Sequence, residues 1–216
     1  MDEKKLKESI SNLKKEKKRK FKQTVDLIIN LKNLDLKKPE HQVEFFLQLH
    51  KDKGKKYKIC ALVGPELGDQ AKKVMESVVL QAEFDKYAKN KKLTKKLASS
   101  NDYFVAQANI MPKVATAFGR VLGPKGKMPN PKAGCIVPPN ANLEQVYENL
   151  QKTVKISGKK APLVQTIVGN EDSSEADLIE NIKQIYTNLE HHLPQGANNI
   201  KSIFIKYTMG KPIRVM

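Results

Sequence analysis

The segment from Gly119 to Pro139 has the composition of a phosphate-binding loop. It holds four of the 11 glycines and five of the 11 prolines in the chain. All of its charged side chains are basic, namely Arg120, Lys125, Lys127 and Lys132. Glycine lets backbone N–H groups approach a phosphate closely, and proline holds the chain path rigid. Because apolar residues are interleaved, we predict an ordered loop with fixed turns, called the central loop below.

A nucleotide site is the enzymatic interpretation of these glycines, and two positions argue against it. The triphosphate template GxxxxGK[ST] needs a glycine where Val121 stands and a hydroxyl residue where Met128 stands. A dinucleotide site needs a glycine-rich turn after the first parallel strand, but Pro65 and Glu66 would block and repel a pyrophosphate there. A small Rossmann-type nucleotide-binding enzyme with a basic appendage is nevertheless kept as the alternative function.

The sequence gives little support for a metal site or a disulfide framework. The four histidines have no cysteine or carboxylate at metal-ligand spacing, so we assign no metal and no cofactor. Cys60 and Cys135 form neither a CxxC pair nor a disulfide framework, which indicates a reducing compartment and a cytoplasmic protein.

The charge balance indicates a polyanionic partner. The chain carries 40 Lys and Arg against 23 Asp and Glu, a net charge of +17. Such a charge attracts RNA, DNA or an anionic membrane surface. Residues 1–22 and the six lysines between Lys86 and Lys96 are the densest clusters, and each has apolar residues at helical spacing. Each cluster alone is equally well explained as a solvated helix face, but with this net charge at least one is expected to contact the polyanion.

Two kinds of strand pattern predict two domains of mixed α/β class. Residues 21–31, 43–49 and 202–208 alternate apolar and polar side chains, which is typical of an antiparallel sheet with one buried face. Residues 59–63 and 103–106 are almost continuously apolar and alternate with helical patterns at 69–77, 83–98 and 112–118, which is typical of a small parallel α/β unit. A further helix is predicted for 174–190, with Ser174 as its N-cap. We place the parallel unit at residues 52–152. If the outer segments, residues 1–51 and 153–216, form one domain, that domain is discontinuous and the parallel unit is inserted in it.

Three motifs resemble the ribosomal protein L-one family. They are Phe21-Lys-Gln-Thr-Val-Asp26, Gly123-Pro-Lys-Gly-Lys-Met-Pro-Asn-Pro-Lys-Ala-Gly134 and Tyr207-Thr-Met-Gly-Lys-Pro-Ile213. The resemblance covers nearly the whole chain. The segments Ala106-Gln-Ala-Asn-Ile-Met-Pro112 and Val168-Gly-Asn-Glu171 are similar to the archaeal or eukaryotic branch, with the archaeal one favoured.

The resemblance implies a two-domain structural protein of the large ribosomal subunit, and not an enzyme. It implies that residues 1–51 and 153–216 form a split α+β sandwich-like domain with an antiparallel sheet, and that residues 52–152 form an inserted Rossmann-like domain. Members of the family bind large-subunit rRNA at a mobile stalk beside the tRNA exit site and assist release of deacylated tRNA, and several repress translation of their own mRNA. The implied partners are therefore rRNA, its own mRNA and exit-site tRNA, with no membrane partner. Off the ribosome the chain is expected to be a monomer.

The resemblance also implies an RNA site in the split domain. Its residues are Lys20, Phe21, Thr24, Asp26, Ser202, Thr208, Met209 and Gly210. Hydroxyl and carboxylate groups suit the 2′-hydroxyls of A-form RNA, and glycine permits close approach of the backbone. The alternating pattern alone instead places Phe21 in the core. The basic residues of the central loop (Arg120, Lys125, Lys127 and Lys132) are expected to make a secondary RNA contact.

Overall fold

The computed structural model describes residues 3–16, 19–159 and 161–216; Met1, Asp2, Lys17, Lys18 and Lys160 lie outside these ranges. The helices within them are α1 (Glu3–Lys14), α2 (Pro65–Val74), α3 (Phe84–Lys89), α4 (Lys91–Ser100), α5 (Met111–Leu122), α6 (Leu143–Lys152) and α7 (Glu175–His192). The strands are β1 (Thr24–Leu31), β2 (Glu44–Gln48), β3 (Ile59–Val63), β4 (Ser77–Leu80), β5 (Tyr103–Gln107), β6 (Ile136–Val137), β7 (Thr153–Ser157), β8 (Leu163–Asn170), β9 (Ile200–Tyr207) and β10 (Ile213–Arg214).

The chain forms two compact units. Met1–Lys55 and Lys152–Met216 make one, called the outer unit, and Lys56–Gln151 make the inner unit. The outer unit thus combines both ends of the sequence, and the inner unit is continuous.

The outer unit is built on an antiparallel sheet with strand order β10-β9-β1-β8, and β2 and β7 form a second antiparallel pair. Strand β1 buries every second residue from Val25 to Leu31, and the residues between them are half-buried. Leu6, Ile10 and Leu13 of α1 and the apolar stripe of α7 complete the same core. The predicted antiparallel sheet with one buried face is confirmed.

The inner unit contains the predicted parallel sheet, with strand order β4-β3-β5-β6. All five residues of β3 are buried, as the continuous apolar run predicts. Helix α5 packs Val114, Phe118 and Leu122 into the core of this unit. The strand order reverses between β3 and β5, as in a doubly wound α/β fold, and the Rossmann-like prediction is confirmed.

Two helix predictions for the inner unit were wrong in their bounds. The helix predicted for 69–77 begins at Pro65 and ends at Val74, because proline suits the first turn of a helix. Ser77, predicted as the last residue of this helix, instead begins β4. That strand has four residues, which are too few to show an alternation.

The helix predicted for 83–98 is interrupted at Asn90. The Asn90 side chain accepts hydrogen bonds from the backbone N–H groups of Lys92 and Leu93, at 3.1 and 3.3 Å, and so starts α4. The apolar residues of 83–98 keep a helical spacing across Asn90, so the pattern did not indicate this N-cap.

Buried Asn181 connects α7 to two other parts of the outer unit. Its Nδ2 donates to the carbonyl oxygen of Val168 at 2.9 Å, and its Oδ1 accepts from the backbone N–H of Lys51 at 3.2 Å. We expect Asn181→Leu to lower the free energy of unfolding by about 1–3 kcal/mol, because it removes both bonds in a buried site. Urea unfolding measures the loss.

Asn188→Leu is the matched control, since the side chain of Asn188 is half-buried and donates to Gln184 O of its own helix. Its expected cost is within about 0.5 kcal/mol. Equal losses for the two variants would contradict a special role of Asn181.

Candidate nucleic-acid interface

The first residue of β1 meets the residue that follows β9. The strands are antiparallel, with Val25 opposite Tyr207. The backbone N–H of Thr208 donates to Thr24 O at 3.1 Å, and that of Thr24 donates to Thr208 Oγ1 at 3.2 Å. The two hydroxyl oxygens are 2.9 Å apart. Strand pairing therefore brings together two hydroxyls from opposite ends of the sequence.

Asp26 fixes the direction of the hydrogen bonds in this group. Thr24 Oγ1 lies 3.4 Å from Asp26 Oδ1. An ionised carboxylate can only accept, so Thr24 donates to Asp26, and Thr208 then donates to Thr24. The capacity that remains in this hydroxyl row (Thr208, Thr24 and Asp26) is mainly that of an acceptor. Such a row is matched to ligand groups that donate, such as hydroxyls and amines.

Burial raises the pKa of the Asp26 carboxyl. The positive charges of Lys206, opposite Asp26 on β9, and of Lys55 act against this rise, as does the hydrogen bond from Thr24. The net effect is upward, so the charged carboxylate is held where water solvates it incompletely.

Phe21 and Met209 expose large apolar side chains next to this row. Phe21 is 50% exposed and Met209 is 64% exposed. Phe21 precedes Thr24 by three residues and lies outside β1, so the pattern-based placement of Phe21 in the core was wrong. A solvent-exposed aromatic ring and a thioether offer an adaptable surface to sugars and bases.

Gln23 positions this end of β1, and the sequence analysis missed it. The side chain is buried, and its Oε1 accepts from the backbone N–H of Met209 at 3.2 Å. Its backbone oxygen accepts from the N–H of Glu171 at 3.0 Å. The available signal was a glutamine at an inward position of the alternating pattern, where an apolar residue is expected.

Gly210 lies close to two side chains of the protein. A Cβ atom at this position would displace the Glu16 carboxylate, which is the end of a flexible side chain, and would lie 3.2 Å from the Cβ of Tyr207. Glu16 Oε1 also accepts from the backbone N–H of Lys211 at 3.3 Å. The glycine thus lets the chain after Met209 pass close to the segment that follows α1.

Ser202 is not part of this cluster. It is buried, and its hydroxyl accepts from Asn30 Nδ2 at 2.9 Å. Asn30 is six residues along β1 from Thr24, or about 20 Å at the rise of a strand. The structure therefore brings Thr24, Asp26, Thr208, Met209 and Gly210 together and leaves Ser202 at the far end of the sheet.

Exposed basic residues flank the cluster. They are Arg19, Lys20, Lys22 and Lys211. Lys22 forms an ion pair with Asp172 at 2.6 Å, and this contact raises the pKa of the lysine. The side chain of Lys20 is exposed.

Two of the four basic residues of the central loop bind α4 of their own unit. Lys127 Nζ donates to Ala98 O at 3.0 Å and to Asn101 O at 2.6 Å, and Lys125 Nζ donates to Ser99 Oγ at 2.8 Å. Lys127 thereby supplies a cation to the C-terminal end of α4, where the helix dipole favours one. The side chains of Arg120 and Lys132 are exposed.

The place where a Rossmann-type fold binds a nucleotide is occupied by protein groups. Gln107 Oε1 accepts from Gly64 N at 2.9 Å, and its Nε2 donates to Glu66 Oε2 at 2.9 Å. The N–H that would face a pyrophosphate is thus already bonded, with a carboxylate beside it.

In the described part of the chain, no three His, Cys, Asp or Glu residues are grouped to hold a metal ion. No helix in those ranges has the length and apolar character to cross a membrane.

The split unit with its antiparallel sheets and the continuous unit with its parallel sheet define a protein of mixed α/β class with two compact units. A sequence model of the ribosomal protein L1p/L10e family matches residues 13–211. The chain belongs to this family, which is one of ribosomal proteins and not of enzymes.

Its relatives include archaeal proteins named large ribosomal subunit protein uL1. The one from Methanobrevibacter smithii is 42% identical over 97% of both chains. The one from Methanothermococcus thermolithotrophicus is 42% identical over 92% of this chain and 91% of its own. The one from Thermococcus kodakarensis is 38% identical over 99% of this chain and 98% of its own. These relatives agree with the archaeal resemblance of the sequence.

Replacing Lys127 tests its structural role. We expect Lys127→Met to lower the free energy of unfolding by about 1.5–3 kcal/mol, since it removes hydrogen bonds from a charged donor to two carbonyl oxygens. Lys132→Met, at an exposed lysine of the same loop, is the control and should cost less than about 0.5 kcal/mol. Urea unfolding compares the two, and equal stability of both variants would refute the role of Lys127.

Replacing Asp26 tests its charge. Because its folded pKa lies above the ordinary 3.8, ionisation of Asp26 opposes folding, and stability is lost as the pH rises through the folded pKa. Asp26→Asn should therefore be more stable than the unaltered chain at pH 7, and the gain should shrink as the pH falls towards 4. Thermal unfolding across this range measures it, with Asp69→Asn at an exposed carboxylate as control. If Asp26→Asn is less stable than the unaltered chain at pH 7, the predicted direction of the stability change is wrong.

Proposed function

We propose that this chain is a structural protein of the large ribosomal subunit that binds large-subunit rRNA through the surface at the start of β1 and the end of β9. The surface comprises Lys20, Phe21, Thr24, Asp26, Thr208, Met209 and Gly210. Family membership and the names of the relatives support the ribosomal role. The observation that carries the site is the hydroxyl row beside two exposed apolar side chains.

The chemistry of this surface fits the sugar edge of folded RNA. A-form RNA presents 2′-hydroxyls in a shallow minor groove, and these hydroxyls can donate to the acceptor groups of the hydroxyl row. Phe21 and Met209 would pack against ribose or base, and Lys20 would neutralise a phosphate. A carboxylate such as Asp26 is unfavourable towards phosphate but suitable for a hydroxyl donor.

The proposal has three finer parts, which concern the chain's own mRNA, exit-site tRNA and the state of the free protein. An RNA fold in the chain's own mRNA that presents the same sugar edge would compete for the site, so its occupation would repress translation. At a mobile stalk beside the exit site, the inner unit would contribute basic groups to the handling of deacylated tRNA. Off the ribosome we propose a monomer in the cytoplasm.

Thr208→Val tests the hydroxyl row with a side chain of nearly equal shape. Loss of hydrogen bonding to the RNA should cost about 1 kcal/mol, which is about a fivefold rise in Kd for a large-subunit rRNA fragment. Fluorescence anisotropy measures Kd. Thr187→Val, on the exposed side of α7, is the matched control and should leave Kd unchanged. An unchanged Kd for Thr208→Val would remove the hydroxyl row from the site.

Met209→Asp tests the apolar part of the surface. A negative charge facing RNA should raise Kd by at least about tenfold, equivalent to about 1.4 kcal/mol. Met209→Leu keeps an apolar side chain and should bind nearly as well as the unaltered chain. Because the side chain is exposed, unfolding should be unaffected in both variants, and equal Kd values would overturn the placement of the site.

A further inference from the structure

Six lysines of α3 and α4 are exposed, and the proposed rRNA site does not use them. They are called the lysine face and are Lys86, Lys89, Lys91, Lys92, Lys95 and Lys96. Among the described residues none of the six forms an ion pair. Asp85 is the only acidic residue within these two helices.

Helix geometry places the four lysines of α4 together. At about 100° per residue, Lys91, Lys95, Lys92 and Lys96 fall within an arc of about 140°. Thr94 and Ala98 are buried and lie outside this arc, about 60° and 20° from Lys91. Ser99 also lies within the arc, and the bond that it accepts from Lys125 Nζ brings a further cation to the same side of the helix. Leu93, 42% exposed, lies next to this arc.

This distribution of charge works against the stability of α4. Lys91 and Lys92 occupy the first turn, where the helix dipole disfavours cations, and no acidic residue is present there to compensate. The pairs Lys91–Lys95 and Lys92–Lys96 put like charges at i, i+4, each costing about 0.2–0.5 kcal/mol in an isolated helix. The end of α4 that favours a cation receives it from Lys127 of the central loop. The lysine face is therefore not explained by folding.

We propose that the lysine face is a second RNA-binding surface, which contacts the phosphate backbone without reading sequence. An arc of mobile ammonium groups neutralises phosphates as point charges, and the exposed face lacks the aromatic side chains that base stacking needs. The surface rests on the proposed function for the identity of its polyanion, but it uses different residues in a different unit.

This assignment changes the role expected for the central loop. Lys125 and Lys127 fasten the loop to the end of α4, so they position the helix that carries the lysine face. The secondary RNA contact of the inner unit accordingly moves from these two residues to α3 and α4.

The test uses the full chain with the outer surface weakened by Met209→Asp. In this background, Lys92→Gln/Lys96→Gln is compared with Lys72→Gln/Lys73→Gln, which removes the same charge from exposed positions of α2 in the same unit. Binding of a short RNA duplex of arbitrary sequence is followed by anisotropy across a KCl series. A second series uses deacylated tRNA as the probe.

Each lost phosphate contact should reduce the slope of log Kd against log salt concentration by about 0.9. The α4 variant should therefore show a slope shallower by about 1.8 and weaker binding at low salt, while the α2 variant keeps the parent slope. A reduced slope with only one of the two probes would identify that RNA form as the ligand. Equal slopes for both variants with both probes would overturn the proposal.

The two proposals fail separately. If Thr208→Val and Met209→Asp leave binding of the rRNA fragment unchanged, the outer surface is wrong, and the comparison of α4 with α2 still holds in the unaltered chain. If only the α4 comparison fails, the outer surface stands.

Discussion

The antiparallel pairing of β1 with β9 is the interaction on which the outer unit and its candidate surface depend. It joins residues near the two ends of the sequence, and it continues beyond the strands as the bonds between Thr24 and Thr208. The hydroxyl row forms only when these strands pair, because Thr24 belongs to β1 and Thr208 directly follows β9. Backbone hydrogen bonds and the buried face of the sheet thus hold the polar groups in place, so that little freedom is lost when a ligand binds.

Around that pairing, groups with no direct role in binding set the geometry. Buried Gln23 holds the backbone of Met209, and half-buried Glu16 holds that of Lys211. Met209 is therefore presented from backbone fixed by an internal hydrogen bond. An exposed apolar side chain on a fixed backbone is a feature of binding surfaces more than of ordinary protein surface.

Much of the fold was predictable because its patterns are local. The alternation in β1 and β9, the continuous apolar run of β3 and the Ser174 cap of α7 all follow from neighbouring residues. β4 is too short to show a period, and the break at Asn90 depends on a cap that leaves the apolar spacing intact.

The site was less accessible to sequence reasoning than the fold. The resemblance to a family indicated Thr24 and Thr208, but Gln23 and Glu16 act through contacts with residues far away in sequence. Ser202 shows the opposite case. The resemblance indicated it as a site residue, but the strand register pairs it with Asn30, six residues along β1 from Thr24. Charge counting likewise cannot distinguish Lys127, bound to carbonyl oxygens, from Lys92, which is exposed.

The split construction of the outer unit has a consequence for the order of events during synthesis. Thr24 and its partner Thr208 are 184 residues apart in sequence. A growing chain therefore carries one half of the hydroxyl row while these 184 residues are made, and it cannot form the row before Thr208 has left the ribosome. Chains that stop before Thr208 would lack the proposed surface, although α1 and most of both sheets would already be present.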